Sequence, residues 1–430
     1  MRSRPLSWRW RLSLRPISLD RLVAMSLRHL MSLGHHSDHA GSSSRRCWSR
    51  MFKCAWPLSP SSWARQIKRA ARGLMLMSSI LIVTAEIDDV MADQINNTTP
   101  NQGPLVLEAR GSFFVGGRPV EQTFVELGSQ RPADRVTVDQ MYVEYMIPPV
   151  KAHSSIVMVH GAGLSGNSFD TTPDGRMGWY EYFVRRSFPV YVVDQVGRGR
   201  SGFNQAIFNA VGAGEETSDQ QPRVTRMGDR FAAWVNFRFG PEEGTPYPDS
   251  QYPVEAVQSF SKQGIPDLSA GLPSPNPNFS ALSTLASTLS GAILLGHSQS
   301  GAYPLEAALL DPSSVKAMIL VEPGSCSADR WTSSQIDTLA SIPLLVVYGD
   351  HLEAPTYISG PGWQDRFDEC LRLIDRLRRA GGVADMLHPP SLGIRGNSHM
   401  LMQDRNNLEI ADLILAWIDR NVSEQDSVRD

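Results

Sequence analysis

A short apolar stretch that ends at a single serine constrains the fold of this chain more than any other feature. Ala292–Leu295 is typical of a buried parallel strand, and Tyr303–Leu310 has a helical pattern. Between them lies Gly-His-Ser-Gln-Ser-Gly, residues 296–301. A tight turn from a strand into a helix holds a serine hydroxyl above the edge of a sheet. Ser298 is therefore a candidate nucleophile; the alternative is a serine-rich loop without chemistry.

Other short apolar runs predict strands that alternate with helical segments. The predicted strands are Val136–Ile147, Ile156–Val159, Tyr191–Val193, Ala317–Val321, Leu344–Tyr348 and Ala384–Leu387. This alternation predicts an α/β fold with a mostly parallel central sheet flanked by helices. We also expect a β-hairpin within Gly111–Val125 that turns at Gly116-Gly117, and a closing amphipathic helix from Leu408 to Val422 capped by Asp404.

One segment interrupts this alternation. Residues 202–280 separate one predicted strand from the helix before the next, and they contain ten aromatic residues and nine prolines. A connection of this length is far longer than an ordinary loop. It predicts a cap insertion over the carboxyl edge of the sheet that offers apolar walls to a ligand. The alternative is a surface excursion packed on its own aromatic side chains.

A serine nucleophile needs a base and a third group that orients the base. In an architecture of this kind the order along the chain is serine, acid, histidine. Three histidines follow Ser298, at positions 351, 388 and 399. His399 lies in a loop between the last predicted strand and the closing helix, which makes it the preferred base.

Two acids compete for the third position. Asp350 follows the strand Leu344–Tyr348, where the acid is commonly found. In many proteins of this architecture, however, the acid lies three residues after the glycine that ends the strand, and the position three residues after Gly349 is Leu352. Glu322 ends the preceding strand, where a proline and a glycine follow it. The pattern favours Glu322, and Asp350 stays open.

A serine nucleophile of this kind attacks a carbonyl group and takes up its acyl part. This acyl transfer also needs hydrogen-bond donors aimed at the oxyanion that develops on the carbonyl oxygen of the substrate. The turn His160–Gly166 is rich in glycine and directly follows a predicted strand. The backbone N–H groups of Ala162 and Gln299 are the expected donors. The sequence contains no motif typical of a metal site or a phosphate-binding loop, so we expect no metal and no cofactor.

Charge is divided unevenly along the chain. Residues 1–73 contain 15 lysines and arginines and two acids, which leaves 26 basic and 42 acidic residues for 74–430. The resulting formal net charge of −16 argues against a nucleic-acid partner, because phosphate binding needs a basic face.

The basic segment ends just before a 12-residue apolar run, Leu74–Ala85, and small-residue cleavage patterns end at Ala85 and Ala92. This order predicts a signal peptide within a leader of residues 1–92, and the run is too short for an ordinary membrane span. A mitochondrial transit peptide is the alternative, and Met51 or Met75 could be the true start. We expect a secreted or periplasmic mature domain, residues 93–430, with no stable membrane span.

Cysteine usage fits export. The expected mature domain keeps two cysteines, Cys326 and Cys370. An even pair in an exported protein predicts one disulfide, whereas two unrelated buried thiols are the alternative. The sequence does not specify the oligomeric state, and a homodimer stays open.

From about Gly111 to Val422 the chain resembles the α/β-hydrolase superfamily. Within it, the chain resembles a group of exported bacterial carboxylesterases that includes arylesterase-type and sulfonylurea-herbicide de-esterifying enzymes. The matching segments are residues 111–118, 140–143, 172–176, 194–200, 321–323, 396–399 and 404–407.

The resemblance implies a serine carboxylesterase that acts on a small-molecule ester, with a triad of Ser298, Glu322 and His399. A member of that group has two adjacent cysteines where this chain has Ala162-Gly163. The resemblance therefore implies a plain glycine-rich oxyanion turn here. A lactonase, thioesterase or amidase with the same triad, or a non-catalytic binding protein of the same fold, are the alternatives.

Overall fold

The computed structural model describes residues 103–129, 132–357 and 360–422. The chain divides into two units, Met1–Ile82 and Val83–Asp430, and all the described residues belong to the second. The predicted leader and signal peptide, residues 1–92, lie outside the described residues.

A single eight-stranded sheet forms the centre of the described part. Its strand order is β1-β2-β4-β3-β5-β6-β7-β8; β2 is antiparallel to β1 and β4, and all other neighbours are parallel. This confirms the predicted fold class. The strands are β1 (Ala109–Gln122), β2 (Asp134–Ile147), β3 (Ser155–Val159), β4 (Val190–Asp194), β5 (Ala292–His297), β6 (Val315–Val321), β7 (Leu344–Val347) and β8 (Ala384–Leu387).

The central strands are apolar throughout because both faces of the sheet are covered. Along β3, Ile156 and Met158 pack into one core cluster while Val157 and Val159 pack into another on the opposite face. Each of these side chains is fully buried. Complete burial of such a side chain contributes about 1.5–3 kcal/mol, which explains why these strands read as continuous apolar runs.

Helices cover the two faces of the sheet. Those named α4 to α7 below contribute to the first core cluster, and α1, α3 and α8 contribute to the second. The helices are α1 (Trp179–Arg185), α2 (Ala206–Ala213), α3 (Val257–Gln263), α4 (Pro277–Thr288), α5 (Tyr303–Leu310), α6 (Ser333–Ala340), α7 (Trp363–Arg379) and α8 (Asn407–Asn421).

The hairpin predicted at Gly116-Gly117 is wrong. Strand β1 continues through both glycines and pairs with β2, so the chain reverses between residues 122 and 134. Gly116 and Gly117 have φ angles of 66° and 86°, and Asp139 on the opposite strand has a φ of 63°. Left-handed conformations on both strands distort the ladder locally without ending it. The long pairing of β1 with β2 outweighs the local turn signal.

The insertion contains α2, α3 and a π-helical segment, Asp229–Asn236. Several of its aromatic side chains pack on one another. The rings of Phe239 and Tyr252 stack with centroids 3.5 Å apart, and Phe260 packs against their edges. These aromatic side chains therefore pack on one another within the second core cluster, which also contains side chains of the sheet.

Helix α8 buries one apolar face, as predicted, but begins at Asn407 with no side-chain cap. Asp404, the predicted cap, is fully buried in the loop before it. The predicted disulfide between Cys326 and Cys370 is confirmed, with a Cα–Cα distance of 5.1 Å. Among the helices of the described ranges, none combines the length and apolar character that a membrane span requires.

Candidate active site

Ser298 lies on the turn between β5 and α5, at the carboxyl edge of the sheet. Its φ angle is 59°, a left-handed conformation that costs a non-glycine residue free energy and is typical of functional sites. Gly296 makes the turn sterically feasible, because a Cβ there would collide with the carbonyl oxygen of Ser300. The turn presents the Ser298 side chain in a partly exposed position.

Ser300 has a structural role that the local sequence does not predict. Its hydroxyl donates to the carbonyl oxygen of Val159 over 2.9 Å and accepts a hydrogen bond from His297 N over 3.0 Å. These contacts join the turn to the end of strand β3. Ser300 therefore braces the serine turn.

The structure brings Ser298, His399 and Glu322 together. Ser298 Oγ lies 2.9 Å from His399 Nε2, and His399 Nδ1 lies 2.9 Å from Glu322 Oε2. An ionised carboxylate only accepts hydrogen bonds, so the proton of the neutral imidazole belongs on Nδ1. His399 Nε2 is then free to accept the hydroxyl proton of Ser298.

Glu322 rather than Asp350 contacts the histidine. Glu322 follows β6 in a left-handed conformation, with a φ of 49°, and its Oε1 accepts a 2.5 Å hydrogen bond from Gly349 N. Asp350 Oδ1 instead accepts from His351 N, and its Oδ2 accepts from Gly396 N over 3.0 Å. Asp350 thus braces the loop that leads to His399.

Arg238 of the insertion contacts Glu322, and no motif in the sequence predicts this contact. Its Nη2 lies 2.6 Å from Glu322 Oε1, and its Nε donates to the carbonyl oxygen of Asp350 over 2.7 Å. The guanidinium lies over the ring of Trp363, 5.1 Å from the centroid. The only local signal is one arginine between Phe237 and Phe239.

Opposing effects set the charges of the site. Burial alone would raise the pKa of Glu322, but the charge of Arg238 and the hydrogen bonds from His399 and Arg238 lower it to about 2. Glu322 is therefore ionised at neutral pH. Burial lowers the pKa of His399, the contact with Glu322 opposes this change, and the charge of Arg238 adds to it.

The loop before α8 holds His399 from its backbone. Asp404 accepts hydrogen bonds from Ser398 N, Ser398 Oγ and Asn397 Nδ2, at distances of 2.7–2.9 Å. Burial raises the pKa of Asp404 to about 6, although these hydrogen bonds oppose the change. The predicted helix cap therefore supports the histidine loop instead.

Aromatic side chains surround the imidazole. The ring of His399 lies 4.7 Å from that of Phe237 and 4.4 Å from that of Trp363, between centroids. His399 N also donates to the carbonyl oxygen of Phe237 over 2.9 Å. The insertion therefore contacts the histidine directly through Phe237.

The glycine-rich turn after β3 lies against the serine. A Cβ at Gly161 would lie 2.8 Å from Ser298 Cβ and 3.3 Å from Ser298 Oγ, so only glycine permits this approach. Ala162 follows in this turn, and Gln299 follows Ser298. The two residues predicted to donate to an oxyanion thus belong to the segments that flank the serine hydroxyl.

One group of side chains in the described ranges has the character of metal ligands. Donor atoms of Asp249, Asp350 and His351 lie within 4.8 Å of one another. These groups already have partners, since His351 Nε2 lies 2.9 Å from Asp249 Oδ1 and Asp350 accepts from two backbone N–H groups. None of these three residues belongs to the Ser298–His399–Glu322 arrangement.

Known proteins resemble the chain in sequence and structure. No family model matches it. A solved structure described as a novel bacterial esterase has 45% identity and a TM-score of 0.70, and the alignment covers 76% of this chain and 99% of that one. A protein named "Probable secreted lipase phiG", from Fungal sp. (strain ATCC 74256), is 27% identical over 328 residues, 65% of this chain and 86% of that protein. The chain therefore belongs to the α/β-hydrolase superfamily, in the group of its bacterial esterases.

Proposed function

We propose that the protein is a serine carboxylesterase that hydrolyses small-molecule esters through an acyl-enzyme on Ser298. The observation that carries the proposal is the pair of 2.9 Å contacts that link Glu322 through His399 to the Ser298 hydroxyl. A serine hydroxyl needs an adjacent base held by a third group, and these side chains have that arrangement. The similarity to proteins named esterase and lipase supports an ester as the substrate.

Acylation begins when the Ser298 oxygen attacks the ester carbonyl carbon while His399 Nε2 takes the hydroxyl proton. The carbonyl oxygen becomes an oxyanion, to which the N–H groups of Ala162 and Gln299 donate. Glu322 stays ionised and stabilises the imidazolium. The bond to the alcohol oxygen then breaks, and that oxygen leaves with the proton from His399.

Deacylation repeats these steps with water. His399 removes a proton from the water as its oxygen bonds to the acyl carbon. The second tetrahedral intermediate releases the carboxylic acid, and the Ser298 oxygen regains its proton from His399. All the groups that act in this sequence come from the chain and from water, so the proposal requires no cofactor.

Replacement of Ser298 by alanine tests the proposal. We expect the purified S298A variant to lose about six orders of magnitude in kcat on p-nitrophenyl acetate while its thermal unfolding stays unchanged. The exposed serine Ser341 provides the matched control, S341A, which we expect to hydrolyse the ester at the wild-type rate. Retention of a tenth of the wild-type kcat by S298A would exclude Ser298 as the nucleophile.

The alternatives separate in two further assays. A fluorophosphonate probe labels an activated serine whatever the leaving group, so an unlabelled wild-type protein would indicate a non-catalytic binding protein. A series of p-nitrophenyl esters, lactones, thioesters and anilides then ranks the leaving groups. We expect esters to have the highest kcat/KM.

We also propose that the protein is exported after removal of a leader. The basic segment before Leu74–Ala85 and the disulfide between Cys326 and Cys370 support export, because disulfides persist in oxidising compartments. Mass spectrometry of the exported protein is expected to place the mature N-terminus after Ala85 or Ala92. An N-terminus upstream of Leu74 in the exported protein would contradict this cleavage.

A further inference from the structure

The oxyanion turn is held by the insertion through both backbone groups of one residue. Gly163 N donates to Asp267 Oδ2 over 3.1 Å, and Ile265 N donates to the carbonyl oxygen of Gly163 over 2.8 Å. Gly163 has a φ of 63° and directly follows Ala162. The peptide between Ala162 and Gly163 is therefore fixed from the insertion.

The same carboxylate reaches the second donor residue. Arg198 Nη1 donates to Gln299 Oε1 over 2.5 Å, and Arg198 Nε lies 3.3 Å from Asp267 Oδ1. Gln299 Nε2 also donates to Asp267 Oδ2 over 3.4 Å. The side chains of Asp267, Arg198 and Gln299 thus form one polar network that includes the residue directly after Ser298.

Asp267 is itself held in place. Its Oδ1 accepts a 2.8 Å hydrogen bond from Ser269 N, and its backbone exchanges two hydrogen bonds with Thr225. Asp267 is 4% exposed and Arg198 is 2% exposed, so solvent screens their attraction little. Burial raises the pKa of Asp267, but the charge of Arg198 and the backbone donors outweigh it, so the pKa is lowered.

We propose that Asp267 is a positioning residue of the oxyanion hole. One carboxylate orients the turn of Ala162 through Gly163 N and, together with Arg198, the side chain of Gln299. Donors to an oxyanion stabilise the transition state only when they are fixed before the reaction, and their supporting contacts provide that rigidity. The inference rests on the proposed function, because an oxyanion hole has meaning only for acyl transfer.

The inference extends the role of the insertion beyond substrate selection. Asp267 and Ile265 both belong to the segment predicted as a cap, and both bind Gly163. Displacement of this part of the insertion would release the peptide directly after Ala162, the residue whose N–H is the first donor. The insertion and the oxyanion turn therefore form one unit in this structure.

The variants D267A and D267N test the inference on the full-length mature protein. We expect D267A to lower kcat on p-nitrophenyl acetate by about 10- to 100-fold, a decrease no larger than that caused by removal of one oxyanion donor. We expect KM to stay within about twofold of the wild-type value. D267N keeps an oxygen acceptor for Gly163 N, so its loss is expected to be smaller. The control is D385N, which removes the charge of an Asp that pairs with Arg378 on the surface.

Inhibitor binding separates a positioning role from a merely structural one. An aryl trifluoromethyl ketone adds to the serine and forms an oxyanion, whereas an ether of the same shape does not. We expect D267A to weaken binding of the ketone by the same factor as kcat, with binding of the ether unchanged. Equal weakening of both inhibitors, or a kcat within twofold of the wild-type value, would overturn the inference.

The inference stays testable even if D267A does not fold. If D267A does not fold, D267N and Q299M replace it; Q299M keeps the backbone N–H of residue 299 and loses the bond to Arg198 Nη1. We expect a lower kcat and weaker ketone binding from both variants, and wild-type values in both would overturn the inference. A wild-type protein inert to esters and to fluorophosphonate would instead refute the proposed function itself.

Discussion

Arg238 Nη2 lies 2.6 Å from Glu322 Oε1, and neither side chain is exposed to solvent. The third member of the Ser298–His399–Glu322 arrangement is thus paired with a cation from a separate segment of the chain. A buried ion pair is costly to desolvate and is therefore weak evidence for stability, but removal of one partner leaves a buried charge uncompensated.

Removal of the charge of Arg238 is expected to move the acid limb of the pH profile to higher pH. That charge lowers the pKa of Glu322 and of His399, so its loss raises the pKa of His399. Protonation of His399 removes the base, and kcat/KM of R238M therefore falls at a higher pH than that of the wild type. Steady-state kinetics across pH 4–9, about the range in which histidines titrate, provide the measurement.

Two control variants accompany R238M. R238K keeps the charge, so we expect its acid limb close to that of the wild type. R378M removes an exposed arginine of a surface pair and is expected to leave the profile unchanged. R238M also loses about 3–5 kcal/mol of unfolding free energy, so its kinetics belong at temperatures where it is fully folded. An acid limb at the same pH in R238M and R238K would show that the charge does not tune the base.

The choice between the two acids is testable by paired amide substitutions. E322Q replaces the partner of His399 Nδ1 with a group that cannot stabilise an imidazolium, so we expect kcat to fall by about 10⁴-fold. D350N keeps an oxygen that accepts from Gly396 N, and its expected loss is about fivefold, the worth of one hydrogen bond. A larger loss in D350N than in E322Q would assign the acid to Asp350.

Truncation of Phe237 is expected to change the choice of ester rather than the chemistry. The ring of Phe237 packs against that of His399, at the boundary between the insertion and the serine site. Apolar contacts discriminate by about 1–3 kcal/mol per methylene-sized change, so F237A should change relative kcat/KM for large and small esters by about 10-fold or more. Hydrolysis of the acetate ester should persist. Equal effects on all ester sizes would show that the insertion does not select substrates.

Loss of the disulfide is expected to destabilise the protein. The bridge between Cys326 and Cys370 spans 44 positions, and closure of a loop of that length accounts for about 4 kcal/mol in the chain-entropy model. We expect the double variant C326S/C370S to unfold at lower denaturant concentration than the wild type, with a larger m-value because its unfolded chain is less compact and exposes more surface. A mass two daltons below the reduced form provides the independent check on the native protein. Two free thiols in the native protein would exclude the bridge.

Local patterns in the sequence determined the sheet and the serine turn. Strand β8 and helix α5 occur at the predicted residues, and β3 and β6 differ from their predicted bounds only at their first residues. These elements are predictable because burial on both faces of a parallel sheet requires a continuous apolar run, and a tight turn after it requires small residues. The position of the loop that contains His399 is predictable because the loop lies between the last strand, β8, and the last helix, α8.

Tertiary contacts decided what local patterns leave open. The sequence pattern favours Glu322 but leaves Asp350 open as the candidate acid, because each residue follows a strand at the same edge of the sheet. The direction of each carboxylate depends on packing. Arg238 reaches Glu322 across 84 positions of the chain, and Asp267 reaches Gly163 across 104. Such contacts depend on how the insertion folds back onto the sheet, where burial makes an unpaired charge costly, and no local propensity encodes that pairing.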